Sequence, residues 1–197
     1  MRTPALSVVL LAAAACGCAS TYANYDYKKE YDPRRHEYRI GVGDALQVNV
    51  FHQPDLSGTA TVRPDGIITL PLVGDVSVAG KTPSEVREEI KKDIARYVRD
   101  ESAVVTVAVT NANSYRFVVA GNVGHPGTFT EHYYVSVSEA IAMAGGLGRF
   151  AGDEIVILRP SAHGQVRQIP VNYAEITSGR HPEQDIPLVA GDTVFVP

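Results

Sequence analysis

Residues 59–90, TATVRPDGIITLPLVGDVSVAGKTPSEVREEI, change hydrophobic period part-way along, and that change decides the fold class. The first half holds short strand-like runs at 59–62, 67–70 and 76–79. They are separated by Arg63-Pro64-Asp65-Gly66 and by the stretch from Pro71 to Gly74, both of turn composition. Thr82-Pro83-Ser84-Glu85 then reads as a capping box with proline at the first helical position. A threonine hydroxyl and a carboxylate three residues on each satisfy a backbone N–H that the first helical turn leaves unpaired. Val86, Ile90, Ile94 and Val98 follow at helical spacing on one stripe. Short strands and one amphipathic helix bury their apolar faces against each other, which makes this unit a small α+β domain.

Upstream, Gly41-Val42-Gly43-Asp44 is a turn, after which Leu46, Val48 and Val50 alternate with Gln47 and Asn49 as in a half-buried strand. Downstream, the helix is expected to end near Arg99, and 103–109 alternates strongly enough for another strand. The first domain is therefore predicted over 38–112, with a boundary between Asn111 and Ser114. A second α+β domain is predicted over 113–197. It opens with a strand at 115–120 and a glycine- and proline-rich turn from Gly121 to Gly127. Ser136-Val137-Ser138-Glu139 caps a short helix that Gly145-Gly146 stops, and strands follow at 155–158, 166–171 and 193–196. One helix against a small sheet is the expectation for this half. Gly-Asp recurs before strands at Gly43-Asp44, Gly74-Asp75 and Gly191-Asp192, as a local turn device.

Before residue 38 the composition changes. Arg2 is a minimal positive n-region, and the apolar stretch from Ala5 to Ala15 is shorter than the roughly 20 residues a membrane span needs. Residues 1–17 are accordingly predicted to be a signal peptide. Small residues precede both Cys16 and Cys18, as in a lipobox, where the thiol is diacylated and becomes the new N-terminus. Gly17 favours Cys18, and Ala15 leaves Cys16 as the alternative. The chain has no other cysteine, so an oxidising compartment would give it no internal disulfide and no thiolate metal site. Acyl chains would hold it at a membrane surface, each buried CH₂ contributing roughly 0.8 kcal/mol. Residues 18–37 carry Tyr22, Tyr25, Tyr27 and Tyr31 among charges with no regular period, and are predicted to be a lipidated tether. Its tyrosines are able to stack on sugar faces.

Charge and motif content narrow the function. A formal net charge of −4, with lysines and arginines spread among acids, gives no basic patch for nucleic acid. An apolar content of 45% argues against disorder. Gly80-Lys81-Thr82 ends like a phosphate-binding loop, but Asp75 stands where that loop needs glycine. His36, His52, His125, His132, His163 and His181 form no i, i+4 pair, so no metal site is predicted. No serine sits in a nucleophile elbow. Asp153-Glu154 are adjacent, and neighbours on a strand face opposite ways, so they do not make a glycosidase pair. The expectation is a protein with no catalytic residues and no cofactor.

Tyr38 to Asp44, Asp65-Gly66-Ile67-Ile68-Thr69-Leu70-Pro71-Leu72-Val73-Gly74 and Gly80-Lys81-Thr82 together resemble the polysaccharide export domain. Val118 to Val123, Pro126-Gly127, Ala144-Gly145-Gly146 and Gly191 to Val196 resemble a soluble-ligand-binding β-grasp (SLBB) domain. The resemblance implies an outer-membrane polysaccharide export lipoprotein of the Wza type, in its short form. It implies a homo-oligomeric ring, commonly an octamer, that meets an inner-membrane co-polymerase and conducts polysaccharide passively through a hydrated lumen. The absence of Asp just after either cysteine implies the periplasmic face of the outer membrane. Fuller members add a second β-grasp domain and a pore-lining helix, whereas this sequence closes at Pro197. The expectation is a separate outer-membrane β-barrel partner, whose closed sheet satisfies its backbone in lipid. Arg63 and Asp65 are the candidate lumen or polymer contacts, with a purely structural turn as the other reading. A monomeric periplasmic glycan-binding or scaffold adaptor is the alternative function. An aromatic groove would favour it, although zero Trp and five Phe argue against a strong stacking platform.

Overall fold

The computed structural model describes residues 25–95, 104–161 and 164–197. Cys16, Cys18 and the last expected turn of the first helix lie outside these residues. The first unit contains strands β1 (Ala45–Val50), β2 (Gly58–Thr61), β3 (Ile67–Leu70) and β4 (Gly74–Ser77), helix α1 (Pro83–Ile94) and strand β5 (Val105–Asn111). Strands β2, β1 and β5 form an antiparallel sheet in that order, and β3 pairs with β4 as a separate hairpin. Both halves of the Thr82–Glu85 capping box are present. The helix buries Val86, Ile90 and Ile94 beside Leu46, Val48, Ile68 and Val105, a core the apolar stripe anticipates.

The second unit has strands β6 (Arg116–Gly121), β7 (Gly127–Thr130), β8 (Glu154–Pro160), β9 (Val166–Asn172) and β10 (Thr193–Val196), with helices α2 (Val137–Met143) and α3 (Tyr173–Thr177). Its sheet runs β7-β6-β10-β8-β9, with β10 parallel to β6 and every other pairing antiparallel. Two tandem mixed α+β units are therefore the architecture. The expectation of a single helix in the second unit is incomplete. Asn172 ends β9 and at once caps α3, accepting from the Glu175 N–H at 3.0 Å, so strand and helix share a residue. β7 was also unanticipated, because its alternation spans only four residues.

A larger departure lies in the predicted tether. Its described part, 25–37, packs on the second unit through two short 3₁₀ turns, Tyr27–Lys29 and Pro33–Arg35. Tyr27 is buried in the core formed by Phe117, Ile141, Ile155 and Val171, and its hydroxyl donates to the Pro170 carbonyl on the edge strand β9 at 2.6 Å. One buried residue per turn, Tyr27 and then Pro33, needs no periodic pattern, which is why composition alone reads as unstructured here.

One glycine governs how β6 ends. Gly121 has φ +94°, and a Cβ built there would sit 1.9 Å from the Val196 carbonyl oxygen on β10. The neighbour is backbone, so it cannot rotate away. Gly121→Ala is expected to cost at least about 2 kcal/mol, combining left-handed strain with overpacking. A lowered urea midpoint at unchanged slope checks this.

Candidate functional site at the junction of the two units

Two of the three Gly-Asp elements turn out to do the same physical work. The Asp44 carboxylate is fully buried and accepts from the Gly41 N–H at 2.8 Å, three residues back. The Asp192 carboxylate, also fully buried, accepts from the Val189 N–H at 2.9 Å, again three residues back. Each is then free on its outer side to hold a second element. Asp75, in the third Gly-Asp, is exposed and takes the Thr69 hydroxyl at 2.6 Å.

Asp44 holds the joint between the units. It accepts from the Ser114 N–H at 2.7 Å, the Ser114 hydroxyl at 2.9 Å and the Tyr38 hydroxyl at 2.8 Å. Gly41 must be glycine for this, since a Cβ there would lie 2.4 Å from the Ser114 side chain. Burial, together with the neighbouring Asp44 carboxylate, pushes the Tyr38 phenol well above its ordinary range, so it stays a donor. The predicted boundary between Asn111 and Ser114 is thus a pinned corner.

Asp192 holds the strap formed by residues 25–37. It takes the buried Arg159 guanidinium in a forked contact, 3.0 Å from Nε and 2.7 Å from Nη2. Arg159 Nη1 reaches across to Glu30 of the strap at 3.0 Å, and Nη2 also donates to the Pro187 carbonyl. Glu30, whose side chain is only 4% exposed, further accepts from Arg167 and, at 2.5 Å, from the Tyr25 hydroxyl. Burial and the bond to Glu30 push the Tyr25 phenol up to about 12. Two carboxylates and two guanidiniums therefore neutralise each other where strap meets sheet.

Between strap and joint lies a tyrosine groove. A hollow of about 200 Å³ is lined by Tyr31, Tyr38, Tyr115 and Tyr134 with Pro33 and Val189, and an adjoining one of about 80 Å³ adds His132 and Tyr133. Tyr115 forms its floor, its hydroxyl accepting from the Val135 N–H at 3.0 Å, and Tyr134 stands edge-on against it at 5.2 Å. Tyr31 stacks on His36 at 4.8 Å. Only Tyr31 and Tyr38 stood out in the sequence. Tyr115, Tyr133 and Tyr134 had no local signal and are gathered by the fold.

The other candidates are distributed as follows. Arg63 and Asp65 come together in the exposed turn between β2 and β3, Nη2 to Oδ2 at 2.5 Å, with Arg63 also donating to Thr69 of β3 at 3.0 Å. Their mutual contact holds the Asp65 carboxyl below the usual carboxylate range. The Asp65 Oδ1 also accepts from the Ile67 N–H at 3.3 Å, so the pair at least serves the turn. Lys81 bonds to Glu89 and to the Ser77 carbonyl, and Thr82 caps α1. Among the described residues, no three His, Cys, Asp or Glu side chains are placed to hold a metal ion. No helix among them is long and apolar enough to cross a membrane.

Comparison with known proteins matches residues 32–110 to the family described as polysaccharide biosynthesis/export protein, and residues 115–196 to the SLBB domain. The EPS I polysaccharide export outer membrane protein EpsA of Ralstonia nicotianae is 35% identical over 140 residues, 59% of this chain and 36% of EpsA. The exopolysaccharide production protein ExoF of Rhizobium meliloti is 38% identical over 130 residues, 59% of this chain and 30% of ExoF. The capsule polysaccharide export protein BexD of Haemophilus influenzae is 29% identical over 175 residues, 79% of this chain and 42% of BexD. The chain thus spans 30–42% of the length of these three relatives.

Proposed function

We propose that this chain, which matches the polysaccharide biosynthesis/export family over residues 32–110 and the SLBB domain over residues 115–196, is a structural component of a polysaccharide export conduit. In this reading copies assemble as a closed ring, an octamer by family analogy, and polymer passes through a hydrated lumen with no bond made or broken. Cys18, or Cys16, carries the lipid that holds the ring on the periplasmic face of the outer membrane. Arg63 and Asp65 face the lumen. An inner-membrane co-polymerase delivers polymer, and an outer-membrane β-barrel receives it.

The observation that carries the reading is the pinned corner between the two units. A ring closes only when every subunit repeats the same rotation, so its staves need a constant shape. Two hydrogen bonds from Ser114 to Asp44, with the Tyr38 hydroxyl bonded to both residues, and the strap anchored at Arg159 hold one unit on the other. A monomeric adaptor has no comparable need for a rigid corner.

Lipidated protein extracted in mild detergent and imaged by negative stain is expected to show closed rings of uniform subunit number. Monomers at all concentrations, with and without the co-polymerase, would sink the ring and put the glycan-binding adaptor in its place. Single deletions of candidate barrel genes test the outer partner. If none blocks secretion, that part of the proposal fails.

A further inference from the structure

We propose that the tyrosine groove between strap and joint is a shallow saccharide subsite that takes one pyranose ring of the polymer at a time. The proposal rests on the export reading and gives that reading a contact point. Two segments bring their rings to this place: the strap and the residue that follows it, with Tyr31 and Tyr38, and the second unit, with Tyr134 about a hundred residues on. Convergence from so far apart in sequence is not needed for any local turn.

The rings are fixed from behind. The Tyr38 hydroxyl is committed to Asp44 and Ser114, and Tyr134 leans on Tyr115, which is itself held by the Val135 N–H. Preordered rings lose little freedom when a ligand lands on them. In front, the hydroxyls of Tyr31 and Tyr134 engage no hydrogen bond with any described residue, so each offers a donor at the rim of an apolar face. A pyranose presents the matching pattern, an apolar C–H face bordered by hydroxyls.

Size also selects the ligand and the strength. A hollow of about 200 Å³ falls below the roughly 300–1,000 Å³ of pockets that enclose a drug-sized molecule. It has room for one ring, not an oligomer. Contact of that extent is weak and exchanges fast, as a surface over which a polymer slides requires.

The test uses mature full-length protein with ¹³C-labelled tyrosine rings, titrated with cellohexaose and separately with benzyl alcohol. Cellohexaose is expected to shift the Tyr31, Tyr38 and Tyr134 ring signals with saturable, millimolar affinity. Tyr134→Ala and Tyr31→Ala are each expected to weaken it about three- to tenfold. Tyr31 lies on the surface strap at 44% exposure, so its replacement spares the core. Tyr134→Phe keeps the face and retains most of the binding, and Phe150→Ala, at an exposed ring elsewhere, changes nothing. Stacking reads the C–H face that pyranoses share, so no shift with cellohexaose, or equal response to benzyl alcohol, overturns the proposal. Secretion by a strain lacking the gene tests the export reading separately. Loss of secretion alongside silent tyrosine rings would remove the groove and leave the conduit standing.

Discussion

Arg159→Met is expected to destabilise the protein by about 3–5 kcal/mol, the largest effect of any single substitution considered for this chain. The guanidinium stands between the carboxylates of Asp192 and Glu30, which are 0% and 4% exposed in their side chains. Removing it leaves two buried negative charges facing each other with Arg167, itself half in solvent, as the remaining cation. For a chain of this length the thermal midpoint should fall on the order of 10 °C. The interpretation is checked by neutralising the carboxylates too. Arg159→Met combined with Asp192→Asn and Glu30→Gln should recover part of the loss, because an uncharged cluster no longer carries an unpaired buried charge. A triple variant as unstable as the single one would show that Arg159 acts through packing alone. Glu30→Gln by itself should release the strap first, read as faster amide exchange at Tyr27 than in the sheet.

Asp44→Ala is expected to cost about 2–4 kcal/mol and to loosen the corner between the units. The carboxylate accepts four hydrogen bonds, two of them from the backbone N–H groups of Gly41 and Ser114. Leaving buried donors without acceptors costs about 1–3 kcal/mol each. Asp44→Asn should be intermediate, since one face of an amide donates where Tyr38 and Ser114 also donate. Two measurements separate stability from geometry: the denaturant midpoint, and protease cleavage between Ala112 and Ser114 under native conditions. Loss of rings in negative stain with both units still folded would tie the corner to assembly. Intact rings from Asp44→Ala would remove the observation on which the conduit reading leans.

What was legible in the sequence was local. The capping boxes at Thr82–Glu85 and Ser136–Glu139 form because their partners lie three residues apart, and both are present. The apolar stripe of α1 and the alternation of β1 predicted which side chains are buried. The Gly-Asp motif was visible three times, yet nothing local distinguishes the two buried carboxylates from the exposed Asp75. Their outer partners, Ser114 and Arg159, are 70 and 33 residues away. Glu30 and Arg159 are 129 residues apart, and no periodicity announces a pair at that separation. Arg63 and Asp65 were singled out for their polarity, and the structure shows them bonded to each other within one turn. The tyrosine groove was half visible. Tyr31 and Tyr38 stood in an aromatic run, while Tyr115 and Tyr134 take their meaning from the rings they meet.

The docked strap also inverts the order in which a bilayer would meet the chain. With an acyl anchor at Cys18, the seven residues to Tyr25 form a leash of at most about 25 Å even when fully extended. The leash runs into Tyr27 on the β9 edge of the second unit, then Glu30, and only afterwards the corner at Tyr38. On the proposed anchor, the domain latest in sequence would be the one moored within that leash of the lipid, with the first domain joined to it through the corner at Tyr38.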